Sequence, residues 1–333
     1  MRNFEYTSAP TTERAIELLS TATPDASARP RILAGGTDLL DEMKEGLIAP
    51  RRLVNIKTNG NLHSIRFSAA EGLRVGTLTT LSEMENSAAV RRNYPAVAAA
   101  VATIASPQLR NMATVGGNLC QRPRCWYYRD QALHCTRKGG PVCYALEGEN
   151  TYHAILGGYL CVIVHPSDLA PALIAYDARI TYAGSDGRQT IPLQDFFIGP
   201  EEDITRENIL QPNQVVEEIT VPAPAAGTRG VYLKVRDRQT WDFATVSVAA
   251  VLEMEGPVCR RARIVLGAVA PKPWPAPAAD KLLTGASITP TLAQQAAEAA
   301  LDAARPLADN AYKVPLARNL VRRAILHAAG MSA

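Results

Sequence analysis

Met112-Ala113-Thr114-Val115-Gly116-Gly117-Asn118-Leu119 is a glycine turn that runs directly into a cysteine-rich stretch, and residues 112 to 168 set how the whole chain reads. Five of the six cysteines fall there: Cys120, Cys125, Cys135, Cys143 and then Cys161, ahead of Pro166-Ser167-Asp168. From Cys125 onward the spacing is C-x9-C-x7-C-x17-C. Thiols this dense serve disulfides, a zinc site or an iron–sulfur cluster. Structural zinc usually draws on two short C-x2-4-C knuckles, each presenting two sulfurs from one tight turn, and no C-x-x-C occurs here. A four-iron cube can be reached from well-separated points of a loop, so wide, irregular spacing suits it better. The insertion is also basic (Arg122, Arg124, Arg129, Arg137, Lys138), as a core of thiolates and iron with net negative charge requires. The cluster therefore ranks first, disulfides second and zinc last.

At 333 residues and 35.8 kDa the chain is long enough for two or three domains with full cores. Hydrophobic residues make up 47% and charged ones 20%, an ordinary globular composition. A net charge of +3, with basic residues spread among acidic ones, excludes a nucleic-acid groove. No apolar run approaches the roughly 18 residues needed to span a bilayer, and mean hydropathy is -0.06. The N-terminus, M-R-N-F-E-Y-T-S-A-P, lacks the charged and apolar regions of a secretory signal, which makes the cytoplasm the expected compartment. A periplasmic location stays compatible if a signal-bearing partner carries the chain. Cysteines in a chain without a signal favour metal or reduced thiols over disulfides.

Residues 12–20 place Ala15, Ile16, Leu18 and Leu19 at helical spacing. After a Pro/Ala-rich link, Arg31-Ile32-Leu33-Ala34 reads as a strand running into Gly35-Gly36-Thr37-Asp38 and a helical Leu39 to Met43. A strand, a Gly-Gly turn and a helix start let backbone N–H groups face an anion; a tight turn needing positive φ explains the glycines equally well. Leu53–Ile56 and Leu73–Gly76 read as short strands and Pro95–Ile104 as a buried helix. Gly116-Gly117 forms a second such turn, and two of them suit a diphosphate, which needs donors from more than one side. Neither turn matches G-x-G-x-x-G or G-x-x-x-x-G-K-[ST]. Asp168 precedes a helix to Tyr176, as a dipole partner or a ligand contact. Strands are expected at 178–193 and 214–221, a boundary at Pro222 to Gly227, then three strands (231–236, 244–253, 259–269) and two helices (291–304, 315–329). That is an α+β pattern. His134, His153 and His165 read as hydrogen-bonding or surface histidines rather than ligands, and Cys259 as a plain strand residue.

Ala34-Gly35-Gly36-Thr37-Asp38-Leu39-Leu40, the run from Gln108 to Asn118, and His165-Pro166-Ser167-Asp168-Leu169-Ala170 together resemble the FAD-binding medium subunit of xanthine dehydrogenase-family molybdenum hydroxylases, over essentially the whole chain. The resemblance implies a two-part FAD-binding module of the molybdenum hydroxylase flavoprotein type, residues 1–222 with a 4Fe-4S insertion at about 119–164, plus a C-terminal α+β domain at 226–333. It implies that FAD is held by Ile32, Leu33, Ala34, Gly35, Gly36, Thr37, Asp38 and Leu39 and by Gln108, Thr114, Gly116, Gly117 and Asn118. Asp168 is implied at the ribityl or ribose hydroxyls and Lys234 near the flavin ring. Among relatives with a cysteine-bearing insertion, the run from Arg124-Cys125 to Cys161 and the segment Lys234 to Arg238 are most similar to aldehyde oxidoreductase flavin subunits. Cys125, Cys135, Cys143 and Cys161 are then the implied ligands, with Cys120 in reserve.

The implied partners are a large molybdopterin-binding subunit and a small 2Fe-2S subunit, because neither type of motif occurs in this chain. Electrons from aldehyde or N-heterocycle oxidation would reach an external acceptor through its flavin, so no catalytic residue is expected here beyond the flavin. Two other readings stand beside this: a self-sufficient FAD oxidoreductase of the same fold, and a cluster-bearing assembly subunit with a vestigial flavin site.

Overall fold

Three sheets follow one another along the chain in the computed structural model, which describes residues 1–21 and 25–332; residues 22–24 of the Pro/Ala-rich link and residue 333 of the C-terminal segment lie outside the described residues. In the first, β1 (Glu5–Ser8) and β2 (Arg31–Leu33) flank β3 (Arg52–Asn55), all parallel. Parallel neighbours need a crossover rather than a tight turn. The helix Thr12–Leu19 lies between β1 and β2 in the chain; the Thr11 side chain accepts from the Arg14 N–H at its start, and Ala15, Leu18 and Leu19 are buried on one side.

The second sheet is antiparallel: β4 (Ile65–Ser68), β5 (Gly72–Gly76), β6 (Arg179–Gly184), β7 (Gly187–Pro192) and β8 (Val215–Val221) stand in the order β4-β5-β8-β6-β7. Everything from the second Gly-Gly turn to Asp168 is inserted between β5 and β6. The third sheet, also antiparallel, holds β9 (Thr228–Val235), β10 (Val246–Glu255), β11 (Val258–Gly267) and the short β12 (Trp274–Pro275). The α+β class and the strand-then-helix order of the last third are as expected. Two elements were not: β12 and the helix Pro277–Leu283. Their Pro/Ala-rich composition resembles a link, yet Pro is well placed in a first helical turn, and the Asp280 carboxylate accepts from the Ile264 N–H of β11 at 2.7 Å.

β10 joins the two halves. Side chains alternate along a strand, and here both faces are apolar. Val246, Val248, Ala250 and Leu252 enter one core with the helices Pro277–Leu283, Pro290–Ala300 and Lys313–Ala328. Ala249 and Val251 enter the other, with the helices Pro95–Ala102 and Leu169–Ala175 and with Leu73, Ile219 and Val221 of the second sheet. Pro222 to Gly227 is thus a boundary in the chain but not a gap in packing.

The C-terminal half also reaches the cysteine insertion. Lys313, 0% exposed, donates from Nζ to the carbonyls of Tyr152 (3.1 Å), His153 (2.9 Å) and Ala268 (2.7 Å). Asn310 Nδ2 donates to the His153 and Ala154 carbonyls, and the Asn150 side chain accepts from the Asp309 N–H at 2.9 Å. Ala268 has φ +60°, a strained backbone for a residue with a side chain, held in place by the Lys313 contact. Burial pushes the Lys313 ammonium down to about 7. At pH 8, where the buried amine is largely neutral and still donates, Lys313→Met is expected to destabilise the fold by about 3 kcal/mol, because buried carbonyls left unpaired lose more than the apolar side chain gains. The loss should shrink as pH falls from 10.5 towards 7 and level off below, since over that range the unfolded chain binds a proton that the buried amine does not. Denaturant titration checks this; an unchanged midpoint would remove the staple.

Candidate functional site

The two Gly-Gly turns meet. A Cβ on Gly35 would lie 2.0 Å from the Met112 carbonyl oxygen, so the first turn packs directly on the residue that opens the second. Gly36 has φ +76°, the left-handed conformation glycine adopts without strain. Both turns open onto one cavity of about 810 Å³, lined by Ile32, Ala34, Gly35, Gly36, Thr37, Asp38 and Leu39 from the first and by Thr114, Gly116 and Gly117 from the second. Among the described residues, the N–H groups of Gly35, Gly36, Thr37 and Asp38 have no acceptor within the protein. Gly117 is exposed, and a Cβ there would meet only Thr114 Oγ1, at 3.0 Å. Nothing in the chain itself demands glycine at 117, whereas a diphosphate drawn close to the backbone does. The orphan donors, the open glycine and the size of the cavity fit a dinucleotide.

Five of the predicted residues lie apart from that lining. Leu33 is packed against Met43 and Leu53, and Gln108 is exposed on a short helix. Asn118 accepts from Ser167 Oγ at 2.6 Å. Asp168 gives the helix Leu169–Ala175 no side-chain cap; the N–H of Ala170 goes to Ser167 Oγ instead. Its carboxylate takes the Tyr232 hydroxyl (2.6 Å) and the Lys234 ammonium (2.7 Å), and Lys234 also donates to the carbonyls of Thr103 and Asp242. Asn118, bonded to Ser167, links the second turn to this buried Asp168–Lys234 pair.

Cys125, Cys135, Cys143 and Cys161 line a second, much smaller cavity of about 10 Å³, together with Tyr127, Tyr128, Arg137, Tyr144 and His153. All are free thiols. Cys120 is not among them; it lines the larger cavity, and burial, together with the Glu207 charge, pushes its thiol up to about 12. Among the described residues no three His, Cys, Asp or Glu side chains converge as a single metal ion requires. Four soft sulfurs lining one cavity, without hard oxygen donors, are the donor set of an iron–sulfur centre rather than of a hard cation. The Cys161 thiol is drawn well below its ordinary range by its bond with the Cys143 thiol and by the Arg137 guanidinium. His153 Nε2 lies 3.2 Å from Cys125 Sγ, and burial and the Lys313 charge lower its pKa to about 4, so the ring is neutral. His165, also buried, accepts from the Ser167 N–H, and His134 is exposed.

The basic residues of the insertion do not all face the thiols, as the sequence suggested. Arg124 and Arg129 donate to Asp38 at 2.5 and 2.8 Å, and the Arg122 N–H donates to the same carboxylate at 2.7 Å. Burial would raise the Asp38 pKa, but Arg124, Arg129 and the Arg122 N–H outweigh it and hold the carboxyl below its ordinary value. Only Arg137 reaches a sulfur, donating to Cys161 at 3.4 Å. Its partner Glu207 was not found from sequence, because it lies in the loop before β8 and no motif marks it.

Residues 2–224 match the family model described as the FAD binding domain in molybdopterin dehydrogenase, and residues 231–328 match that of the CO dehydrogenase flavoprotein C-terminal domain. With the geometry above, they define the FAD-binding subunit of an oxidoreductase. The chain is 37% identical over 305 residues to the aldehyde oxidoreductase FAD-binding subunit PaoB of Escherichia coli, covering 90% of this chain and 91% of that one. It is 30% identical over 327 residues to the carbon monoxide dehydrogenase medium chain of Hydrogenophaga pseudoflava, covering 97% and 96%. A solved structure of carbon monoxide dehydrogenase from Hydrogenophaga pseudoflava superposes with a TM-score of 0.78 at 30% identity, covering 99% and 98% of the two chains. The chain belongs to the FAD-binding medium subunits of the xanthine dehydrogenase family of molybdenum hydroxylases. Among the described residues no helix is long and apolar enough to cross a membrane.

The two glycines separate packing from binding. Gly35→Ala is expected to lower the melting temperature, since its Cβ has no space. Gly117→Leu should leave the fold intact and reduce the flavin-to-protein ratio several-fold, read from flavin absorbance. A folded Gly117→Leu protein with full flavin would move the diphosphate away from this turn.

Proposed function

We propose that the chain is the FAD- and 4Fe-4S-carrying electron-transfer subunit of a molybdenum-dependent oxidoreductase acting on aldehydes or N-heterocycles, with aldehydes favoured by the similarity to an aldehyde oxidoreductase subunit. Substrate oxidation belongs to a large molybdopterin-binding partner, electrons arrive through a small 2Fe-2S partner, and they leave to an external acceptor. The observation that carries this is the pair of neighbouring cavities, one ringed by four cysteines and one built from the two glycine turns, which share Tyr128 and Arg137 in their walls. Bound flavin supplies exchange between carriers of one and two electrons.

The chain's own residues do the rest. Backbone N–H groups of Gly35 to Asp38 and the Gly116-Gly117 turn hold the diphosphate, with Ile32, Ala34, Thr37, Leu39 and Thr114 lining its path. Asn118, Asp168 and Lys234 support the flavin end. Cys125, Cys135, Cys143 and Cys161 ligate the cluster as thiolates, and their metal bonds supply ordering free energy to a loop with little apolar surface of its own. In the domain reading, residues 1–222 form the FAD module and 226–333 the second body, with β10 between their cores.

Cys135→Ser is expected to remove about four irons per complex, since each cube needs its full thiolate set, while flavin stays bound. Cys120→Ser should keep that iron. Iron and flavin analysis of the purified complex decides: wild-type protein holding only the irons of a 2Fe-2S subunit would sink the cluster assignment, and iron lost in Cys120→Ser but retained in Cys161→Ser would move one ligand.

A further inference from the structure

One side chain touches both cavities and carries a full charge. Arg137 sits on the single 3-10 turn Thr136–Lys138 that follows Cys135, closed by Gly139 at φ +87°. This places its guanidinium behind the cysteine ring. Nε donates to Cys161 Sγ at 3.4 Å, and Nη1 pairs with Glu207 Oε1, both side chains being almost wholly buried at 1% and 2% exposure. The other oxygen of Glu207 pairs with Arg122 Nε at 3.1 Å. Arg122 and Glu207 line the larger cavity, and Arg137 lines both. The result is a chain of two guanidinium groups and one carboxylate, net charge plus one, running from the flavin cavity to the thiols.

Such a chain is poorly explained by stability. Buried ion pairs replaced by apolar groups of similar shape are often as stable or more so, because desolvation offsets the attraction. What a buried charge does without rival is set the energy of another charge nearby, since little solvent screens it. One electron entering the cluster adds one negative charge; no bond forms or breaks and no proton moves. A net positive group bonded to a ligating sulfur stabilises that added charge, and hydrogen bonds and net charge at the sulfurs are the levers by which proteins set cluster potentials.

We propose that Arg137, held by Glu207 and Arg122, is a positioning residue that raises the reduction potential of the cluster and so favours its accepting an electron next to the flavin. The inference rests on the cluster reading of the preceding subsection. Its signature is a pair of shifts of opposite sign. Arg137→Gln leaves Glu207 ionised beside Arg122, taking the local charge from plus one to zero, and the cluster midpoint falls. Glu207→Gln takes it from plus one to plus two, and the midpoint rises. Arg137→Lys keeps the charge and stays close to wild type.

The test is a chemical redox titration of the intact complex, following the electron paramagnetic resonance of the reduced cluster, with iron counted in every variant. A fall in Arg137→Gln and a rise in Glu207→Gln, both with full iron, support the proposal, and the reverse pair overturns it. With iron retained, shifts of the same sign, or none, overturn it, since a residue that only packs the loop would not give a signed response. If Arg137→Gln yields no folded complex, Glu207→Gln decides alone: a rise supports, and no change or a fall overturns. Wild-type complex lacking the extra irons overturns the cluster reading itself and this inference with it, an outcome that iron analysis separates from a failed potential shift.

Discussion

The Asp38 carboxylate is the contact on which the site depends. It ends the first glycine turn and receives the Arg122 N–H, the Arg124 guanidinium and the Arg129 guanidinium, three donors from the start of the cysteine insertion. Arg129 extends the tie to Glu45 beyond the helix Leu39–Lys44. A half-buried carboxylate with two guanidinium groups on one oxygen and a backbone N–H on the other is fixed more firmly than one paired at the surface. The turn that frames one cavity and the loop that frames the other are therefore a single unit, and a shift in either is felt in both.

The insertion needs such ties because it has little core. Ala145, Ala154 and Val162 form a small cluster with Tyr127, Cys143, Val164 and Leu307, too few apolar groups to order some forty residues against chain entropy. Its order comes from outside: Asp38 on one side, Glu207 through Arg122 and Arg137 on another, and the carbonyl clamp of Lys313 and Asn310 from the C-terminal half. These three anchors come from three different parts of the chain. Metal–thiolate bonds would close the centre that they surround.

Much of this was legible beforehand because the signals are local. A strand followed by Gly-Gly, a second Gly-Gly turn, five clustered cysteines and alternating apolar strands can each be read within a few residues of one another. The four cysteines named as ligands do line one cavity, and Cys120, kept in reserve, lines the other. What was not legible is long-range. Glu207 has no motif, and its importance comes from the two arginines it meets far away in the chain. Asp168 sits at a helix start and reads equally as a dipole partner or a ligand contact, yet tertiary partners Tyr232 and Lys234 take its carboxylate, leaving the cap to Ser167. The basic residues of the insertion looked like counter-charge for a cluster, but most of them answer carboxylates in other segments, which sequence spacing cannot show.

Several of the buried charges line or adjoin the two cavities. Arg137 and Glu207 stand between the cavities, Glu42 accepts from the Tyr128 hydroxyl at 2.6 Å in the same wall, and Asp168 pairs with Lys234 beside the second turn. Each of these groups loses hydration on burial, and an apolar wall of the same shape would avoid that loss. An apolar wall would also leave every added electron to be stabilised by the cofactors alone. If the proposed cofactors occupy these cavities, fixed charges in a low-dielectric wall would need no rearrangement when an electron arrived and would adjust the relative energies of the two centres without slowing the transfer. On that proposal the pinning from three directions has a use: a guanidinium that swung away from Cys161 would change the potential each time it moved, and the Glu207 and Arg122 contacts hold it in one place.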